Sequence, residues 1–548
     1  MWSTVASYAC GVWYITIWSV CLLGCSVARA KFRHPERRQR DGKEDGEARV
    51  LSLDARTAER VSILRPLAGL DCNLFDNLCS SFEQDYPPQA FEVILSVKSA
   101  EDRAFPVAQA VRERYPLIKS RIIVGETGLS AWSPLSFADF LSSTLAIGDE
   151  DAGVNPKINN LVRSYAVAAH DIIWVVDSQI WSPPGALAEA VRTLTSAPPK
   201  PLPSFPPRSP HGARVGLVHH VPFAINPSNS WASQVERAFL STTHAKMYLA
   251  INHVVVDSCI VGKSNMYRKS DLVRVPDTFF GPDHGAFWRA SKSMGKDASQ
   301  TASIQEGSLA GAISSKAFST SAERALELAA DASAAASASS SDSQPDFNTA
   351  RAGARPLARF GIYLAEDNML GLSLWNAPLN LAHAVSAAHS AHMSVGELST
   401  MWEYASRRMR WIRVRRWMTF EATMVEPLTE SIIAGLMGWR AWCHFVVPSL
   451  RVLAQNYALL ALAPTLATWL FLPVHFTLWY KTDRLVLDAL SAGKPLPKDE
   501  ESRFFFAWCT RELLALPIWI WAMSGSTVNW RGTTYRILKD SQAAKVER

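Results

Sequence analysis

The strongest constraint on the fold is an apolar run near the N-terminus. Residues 5–27 hold 23 positions without a charged side chain, enough for a helix to cross a hydrocarbon core of about 30 Å. The basic stretch that follows favours the cytosolic side of a bilayer. A cleaved signal peptide is the alternative, because residues 28–30 (ARA) resemble a cleavage site, but the run is too long and lacks a basic leader. We therefore predict a transmembrane anchor at 1–30 and a basic juxtamembrane linker at 31–57.

The last third of the chain is also apolar. Its three apolar runs lie at residues 432–447, 452–479 and 504–523. The second run predicts one tilted helix or a helix with a re-entrant part, and prolines in the later runs are tolerated where neighbouring helices satisfy the freed backbone. Arg511 and Glu512 interrupt the third run, so we expect them at the membrane interface or, alternatively, at a lipid-entry surface. This pattern predicts two to four spans within 421–525 and a cytosolic tail at 526–548.

Composition agrees with a membrane protein that carries a large extramembrane domain. The 20 Trp concentrate near the apolar ends, and the net charge is +6. Tryptophan favours the membrane–water interface and basic side chains suit anionic lipids, which makes the bilayer a partner. No basic stripe accompanies a nucleic-acid-reading module, so a nucleic-acid partner is excluded. The eight cysteines form no C-x-x-C pair, which argues against a zinc or disulfide framework.

Two stretches interrupt the region between the apolar ends. Residues 198–210 contain seven prolines and predict an extended linker. Residues 284–356 are rich in Ala and Ser, a composition that buries too little apolar surface to offset its chain entropy. We therefore predict one domain in two parts, at 58–283 and 357–420, separated by a disordered low-complexity insert.

The remaining sequence alternates between strand and helix patterns. Strands are predicted at residues 61–64, 91–97, 118–125, 171–177, 213–220 and about 254–261. Helical spacing covers residues 70–82, with Asp71 as the cap, and 155–168. Such alternation is typical of an α/β sandwich with a mostly parallel central sheet. Ligands bind these sheets at the carboxyl ends of the strands.

Acidic side chains stand at two of those strand ends. Asp102 follows the second predicted strand, and Asp177 ends the strand DIIWVVD. Either could merely cap the next helix, but several on one sheet edge favour a binding site. The sequence has no P-loop, no dinucleotide-binding glycine motif and no G-x-S-x-G elbow. His219, His220 and His244 lack metal-ligand spacing, which makes a zinc site improbable.

Eight segments, in order along nearly the whole chain, carry a resemblance to one family. They are VSILRPLAGLD (61–71), QDYP (84–87), GVNPKINNLVRSY (153–165), WVVDS (174–178), GLVHHVPFA (216–224), SCIVGKSNMYRKSDL (258–272), LAEDNMLG (364–371) and RRMRWIRVR (407–415). The chain is similar to the ceramide glucosyltransferases, of the fungal type. The resemblance implies a GT-A type nucleotide-sugar-binding fold with transmembrane helices at both ends. It also implies a UDP-glucose donor, a ceramide acceptor and a Golgi membrane enzyme (the endoplasmic reticulum being the alternative) whose catalytic domain faces the cytosol.

The family carries three aspartates, a (Q/R)xxRW motif and further positions near the donor pocket. The matching residues are Asp102, Asp177, Asp367, Arg407, Arg410, Trp411, His219 and Cys259. The family context of the first aspartate continues with Pro-Ala, whereas Arg103-Ala104 follows here, so Glu101 is the alternative for that role.

The resemblance assigns donor contacts to three residues. Asp102 would hold the uridine end, and Asp177 would act at the diphosphate either directly or through Mg²⁺ or Mn²⁺. Asp177-Ser178-Gln179 lacks a second carboxylate, which leaves both possibilities open. Lys157 stands at a predicted helix start, where the helix dipole also favours phosphate. The alternative for Lys157 is a solvated surface lysine.

The remaining motifs imply the acceptor chemistry. Asp367 would be the general base that takes the proton from the primary hydroxyl of ceramide, and attack opposite the leaving group would invert the anomeric centre. Arg407 and Arg410, three apart on a helix, could clamp the diphosphate, and Trp411 would pack over the acceptor. The same segment could instead lie in the headgroup layer. For Glu366 we expect a helix cap or an arginine partner.

Two other functions stay open. A processive polysaccharide synthase of the chitin or cellulose kind shares three aspartates and a similar last motif, but needs more spans than we predict. A catalytically inactive, membrane-anchored lipid-binding protein is the non-enzymatic alternative. The sequence carries no indication of oligomeric state.

Overall fold

The computed structural model describes residues 2–33, 57–125, 152–197, 214–254, 259–280, 353, 355–386, 389–457, 460–530 and 532–546. The juxtamembrane linker, the proline-rich linker and most of the low-complexity insert predicted above lie outside these ranges. The described residues form an α/β domain and a helical assembly contributed by both ends of the chain.

Ten strands build the α/β domain. In chain order they are β1 Val61–Pro66, β2 Phe91–Val97, β3 Ser120–Val124, β4 Ile172–Val176, β5 Ile180–Trp181, β6 Val215–His219, β7 Pro222–Ile225, β8 Ser264–Arg268, β9 Ala382–Val385 and β10 Ala391–Ser394. Seven of them form a mixed sheet in the order β3-β2-β1-β4-β8-β6-β9, and three form a small sheet in the order β5-β10-β7. In the large sheet β8 runs antiparallel to both β4 and β6.

The helices of the α/β domain lie on both faces of the large sheet. In chain order the helices among the described residues begin with α1 Trp2–Phe32, α2 Leu74–Phe82, α3 Ala104–Arg114, α4 Pro156–Val167, α5 Ala186–Thr195, α6 Trp231–Phe239, α7 Ala245–Val254, α8 Lys269–Val273 and α9 Glu366–Trp375. They continue with α10 Met401–Arg415, α11 Phe420–Val425, α12 Ser431–Phe445, α13 Val447–Asn456, α14 Ala463–Leu490 and α15 Lys498–Met523. A π-helical turn, Leu240–His244, joins α6 to α7.

The core of the domain has two layers because successive strand residues point to opposite faces. Ile63 and Leu95 pack into one hydrophobic cluster, whereas Leu64 and Ile94 pack into the cluster on the other face. Both faces are covered by helices, which explains why the central strands read as continuous apolar runs.

Two local predictions were wrong. The strand expected at about 254–261 is displaced: α7 extends to Val254, where its apolar face packs against α1, and the strand begins only at Ser264. Asp71 does not cap α2; Asn73 precedes that helix in a left-handed conformation. The Asp71 carboxylate instead accepts a hydrogen bond from the Ser178 hydroxyl.

The N-terminal helix is built into the rest of the molecule. α1 packs against α7, α12 and α14, and a Cβ on Gly24 would lie 2.3 Å from the Lys246 carbonyl oxygen, so only glycine allows this close approach. The Lys246 Nζ atom lies 2.7 Å from Asp483 Oδ1 on α14, and both side chains are fully buried. The indole of Trp508 on α15 donates to the same carboxylate.

Two described helices are long and apolar enough to cross a membrane, by length and composition alone. They are Ser3–Phe32 and Lys498–Met523. The run at 452–479, expected as one tilted helix or a helix with a re-entrant part, is divided between α13 and α14, and Pro464 occupies the first turn of α14, where proline is tolerated.

Arg511 and Glu512 are paired inside the helical assembly. Both side chains are buried, Arg511 pairs with Glu430 at 2.6 Å, and Glu512 accepts from the Ser431 hydroxyl. These charges thus find their partners on α12 and the turn before it, and their placement at a membrane interface or a lipid-entry surface stays a prediction. Charges in apolar segments are tolerated when they face such partners.

The C-terminal segment expected as a tail is folded. It forms an antiparallel sheet of β11 Thr527–Trp530, β12 Thr533–Ile537 and β13 Ala543–Lys545. This C-terminal sheet packs on α10: the Arg413 guanidinium donates to the carbonyl oxygens of Trp521, Ala522 and Thr527.

Candidate active site

The candidate site begins at the carboxyl edge of the large sheet. Asp102 follows β2 and Asp177 follows β4, and β1 lies between these strands and runs parallel to both. Neighbouring strands are about 4.8 Å apart, so the two strand ends lie about 10 Å from each other. The sheet therefore places the two aspartates on one edge, as the sequence predicted.

Asp102 connects the loops after β1 and β2. Its Oδ1 atom accepts from the backbone N–H of Gly69 and of Ala104, both at 2.8 Å. The carboxylate thus binds the first N–H of α3, in line with the helix-capping alternative considered for Asp102. It also holds the loop that follows β1. Its side chain stays partly exposed at the sheet edge.

Asp177 is enclosed by two lysines from different parts of the chain. Its Oδ1 atom lies 2.8 Å from Lys157 Nζ, and its Oδ2 atom lies 3.0 Å from Lys263 Nζ. Its backbone N–H donates to the Lys263 carbonyl oxygen at 3.0 Å. Burial opposes ionisation of this carboxyl, but the two ammonium groups outweigh it and lower the pKa of Asp177.

Lys157 is the point where distant segments meet. Its ammonium bonds Asp177, Glu366 Oε1 at 3.0 Å and the Gly262 carbonyl oxygen at 2.9 Å. Burial alone would lower the pKa of Lys157, but Asp177 and Glu366 reverse the shift and raise it. The alternative of a solvated surface lysine is therefore wrong. Asn155 orients Lys157 locally, since its side chain caps α4 and its amide nitrogen donates to Glu366 at 2.8 Å.

Glu366 takes neither of the roles expected for it. Its carboxylate faces Lys157 and Asn155 across the cleft, and it is buried. The lysine partner replaces the arginine partner that we expected, because α4 and the start of α9 meet at this point.

Asp367 lies in the first turn of α9, against Gly262. A Cβ on Gly262 would lie 2.8 Å from Asp367 Oδ2 and 3.0 Å from its Cβ, so this contact excludes any larger residue. Burial and the neighbouring Glu366 raise the pKa of Asp367 to about 6. Such a carboxyl is a suitable proton acceptor near neutral pH.

Helix α10 carries the (Q/R)xxRW residues, whose side chains have different surroundings. The Trp411 ring centre lies 5.9 Å from Nζ of Lys263, the lysine that pairs with Asp177. Arg407 is held by carboxylates, with Nε 3.3 Å from Glu236 and Nη1 3.0 Å from Glu397.

Arg410 is directed towards the C-terminal sheet. Its guanidinium carbon lies 6.0 Å from the ring centre of Trp530. The two arginines therefore have different surroundings, although three residues separate them on the same helix.

His219 and Cys259 lie on the flank of the site. His219 ends β6, is fully buried and shares a hydrogen bond between Nδ1 and the Tyr248 hydroxyl. Burial, together with the neighbouring His383, lowers its pKa, so the imidazole is neutral. The Cys259 carbonyl oxygen accepts from the Asn252 amide at 3.0 Å.

The residues at Asp177 do not fit a protein-held Mg²⁺ or Mn²⁺. Each carboxylate oxygen of Asp177 lies within 3.0 Å of an ammonium nitrogen, and the Glu366 carboxylate pairs with the same Lys157. Within the described ranges no group of three or more His, Cys, Asp and Glu side chains could hold a metal ion. A cation at Asp177 would have to displace one of the two lysines.

Sequence reasoning missed two contributors to this cleft. Lys263 reaches Asp177 only because β8 runs antiparallel and starts where β4 ends. Arg65 is fully buried under the Asp177 loop and donates to the carbonyl oxygens of Ser178 at 3.3 Å and Ile180 at 3.0 Å. Arg65 reads in sequence as one charge in an apolar strand, a rare pattern that could have suggested a buried role.

The chain matches a family model and several curated proteins. The model described as glycosyl transferase family 21 matches residues 16–131, 139–276 and 351–543. A ceramide glucosyltransferase of Komagataella phaffii is 29% identical, over 98% of this chain and 91% of that protein. A ceramide glucosyltransferase of Candida albicans is 25% identical, over 98% of this chain and 97% of that protein.

Solved structures resemble the chain more distantly. One is a mannosyltransferase from Pyrobaculum calidifontis in complex with GDP-Man and Mn²⁺, 12% identical, with a TM-score of 0.35 over 89% of this chain and 98% of that chain.

Proposed function

Because the chain belongs to glycosyl transferase family 21, we propose that it transfers glucose from UDP-glucose to the primary hydroxyl of ceramide. The observation that carries this proposal is the convergence on Lys157 of Asp177, after β4, and Glu366, next to Asp367 at the start of α9. Cations at the leaving-group side, here the two lysines at Asp177, and a carboxyl of raised pKa at the acceptor side are what glycosyl transfer requires. The curated relatives carry the same activity in their names.

The chemistry follows from the placement of these groups. The uridine end of the donor binds at the loops that Asp102 holds, and the diphosphate lies at Asp177 with its two lysines. The hydroxyl oxygen of ceramide attacks the anomeric carbon, the bond from that carbon to the β-phosphate oxygen breaks, and UDP leaves with the electron pair. Asp367 takes the hydroxyl proton. Attack opposite the leaving group inverts the centre and gives the β-linked product.

The other predicted residues are assigned supporting roles in this scheme. Trp411 packs over the acceptor, and Arg410 remains our proposed diphosphate contact after substrate binding. Arg407 positions α10 through its two carboxylate partners. His219 and Cys259 shape the flank of the donor pocket.

The fold and the location belong to the same proposal. The mixed sheet with a site at its carboxyl edge supports the GT-A assignment. The apolar α1 and α15 support an integral membrane enzyme. We propose that it resides in the Golgi membrane with the cleft open to the cytosol, where the nucleotide-sugar donor is met.

A reconstituted assay tests the function. The full chain in lipid nanodiscs is given UDP-glucose with a short-chain ceramide, and the products are separated by chromatography. We expect a monoglucosylated lipid in proportion to released UDP. A polymer would indicate a polysaccharide synthase, and the absence of any turnover, with donor binding retained, would indicate the inactive lipid-binding alternative.

A further inference from the structure

The junction of Gly262 and Lys263 touches Asp177, Lys157 and Asp367, and the aspartate and (Q/R)xxRW motifs assign it no role. The Gly262 carbonyl oxygen bonds Lys157, and its Cα faces Asp367. The Lys263 carbonyl oxygen accepts from the Asp177 backbone, and its ammonium bonds the Asp177 side chain. Two consecutive residues thus contact both the leaving-group side and the base side of the site.

The two lysines at Asp177 differ in their remaining capacity to bind a ligand. An ammonium has three N–H donors, and the Lys157 ammonium already lies within 3.0 Å of three oxygens, on Asp177, Glu366 and Gly262. Lys263 has one hydrogen-bond acceptor, Asp177, within the part of the chain that the structure describes. Its side chain is 15% exposed, so two N–H groups remain for a ligand in the cleft.

The negative charge around Asp177 favours a lysine whose ammonium can also face a bound ligand. Asp177, Glu366 and Asp367 provide up to three negative charges, against the positive charges of Lys157 and Lys263. A nucleoside diphosphate adds more negative charge at the same place, and the breaking bond increases it on the β-phosphate. Donors and cations aimed at that oxygen act most strongly in the transition state.

We infer that Lys263 binds the β-phosphate of the nucleotide donor and stabilises the leaving UDP, in the position where a divalent cation would otherwise be needed. This inference rests on the proposed function. The Trp411 indole, 5.9 Å from the ammonium, forms the apolar wall on one side. In the transfer step Lys263 gives up no proton: it neutralises the charge that the broken bond leaves on the β-phosphate, while the proton of the acceptor hydroxyl goes to Asp367.

Binding of UDP and UMP separates this role from a structural one. UDP carries the β-phosphate and UMP does not, so calorimetry on the purified full chain measures that phosphate directly. For Lys263→Met we expect UDP affinity to fall by about 10- to 100-fold, because a charge-assisted hydrogen bond is lost, with UMP affinity within about twofold of wild type. Lys263→Arg should keep most of the UDP affinity.

A double variant distinguishes phosphate binding from neutralisation of Asp177. If Lys263 acted only by neutralising that carboxylate, adding Lys263→Met to Asp177→Asn would cause no further loss of UDP affinity, which would overturn the inference. A further loss in the double variant, relative to Asp177→Asn alone, supports direct binding. Lys119→Met is the matched control, because Lys119 is exposed and lies just before β3, away from the carboxyl edge of the sheet.

Turnover measured in parallel keeps the two proposals distinguishable. If wild type forms no glucosylated lipid, the proposed function fails. If wild type is active and Lys263→Met keeps its UDP-to-UMP affinity ratio and its kcat, the inference about Lys263 fails alone. The expected result is a loss of kcat/KM for UDP-glucose in Lys263→Met that parallels the loss of UDP affinity.

Discussion

At the scale of single residues, the three aspartates of the site have different surroundings. Asp102 accepts two backbone hydrogen bonds, Asp177 pairs with two ammonium groups, and Asp367 lies half-buried beside another carboxyl. The last arrangement raises the pKa of Asp367 towards neutrality, whereas the two lysines lower the pKa of Asp177. The assignment of the base therefore follows from the environment of each side chain.

Replacing the base should remove turnover but not donor binding. Asp367→Asn keeps the shape of the side chain and removes the proton acceptor, so we expect kcat to fall by about 10²- to 10⁴-fold. UDP affinity, measured by calorimetry, should stay within about threefold of wild type. A kcat within tenfold of wild type would show that another group accepts the proton.

The pH profile should report the same carboxyl. Asp367 must be deprotonated to act, and burial raises its pKa to about 6, so activity should be lost as the pH falls through about 6 and should reach a plateau above it. The measurement is kcat between pH 5 and 8 in nanodiscs, with UDP affinity followed over the same range. A profile flat down to pH 5 would argue against this base.

Two of the predicted site residues lie in segments that resemble the family. Asp177 and Asp367 lie in quoted segments, and the structure brings both segments to Lys157. The sequence could not predict that Glu366 pairs with Lys157, or that Lys263 reaches Asp177, since both contacts depend on how distant elements pack. The surroundings of Arg407 were unpredictable for the same reason: Glu236 and Glu397 come from other elements.

At the scale of elements, α10 links the site to the C-terminal sheet. Its start is fixed by a capping box between Thr400 and Glu403, and its end is fixed by Arg413, whose guanidinium bonds the end of α15 and the start of β11. Trp411 lies between these two fixed points. The position of the indole thus depends on a segment that the sequence indicated only as a tail.

Removing the Arg413 contact should affect stability and activity together. Arg413→Met leaves three carbonyl oxygens without their donor, and each unsatisfied buried group costs about 1–3 kcal/mol. We expect a lower Tm and at least a tenfold lower kcat/KM, measured by thermal denaturation and by the transfer assay. Arg112→Met, at an exposed position of α3, is the control; equal effects of the two variants would contradict the role of Arg413.

Element prediction succeeded where burial is uniform. The run FEVILSV coincides with β2 and DIIWVV with β4, because both strands are covered on both faces. It failed for β8, whose sequence SNMYR is polar and short. Alternating burial is weak in such a strand, and its direction depends on the neighbouring strands.

At the scale of the whole molecule, the two parts of the α/β domain are joined across the insert. The rings of Phe280 and Phe360, on either side of it, lie 4.9 Å apart between centroids. The ends of the intervening chain are therefore close together in space, and a much shorter connection could span them.

Deletion of residues 290–354 should leave the enzyme active. The contacts that form the cleft lie outside this range, and loop-closure entropy changes only slowly with loop length. We expect kcat and KM for UDP-glucose within about threefold of wild type and a Tm change of a few degrees. Loss of both folding and activity would show that the segment contributes to the structure.

The buried pair of Lys246 and Asp483 joins the α/β domain to the helical assembly, and its position has a practical consequence. Trimming the apolar ends to obtain a water-soluble enzyme would strip Lys246 of its counter-ion and uncover the face on which α1 and α14 pack. An unpaired ammonium in that place is strongly unfavourable. Inhibitor screening against this enzyme therefore calls for the intact chain in a lipid environment, because a truncated version would present a distorted pocket.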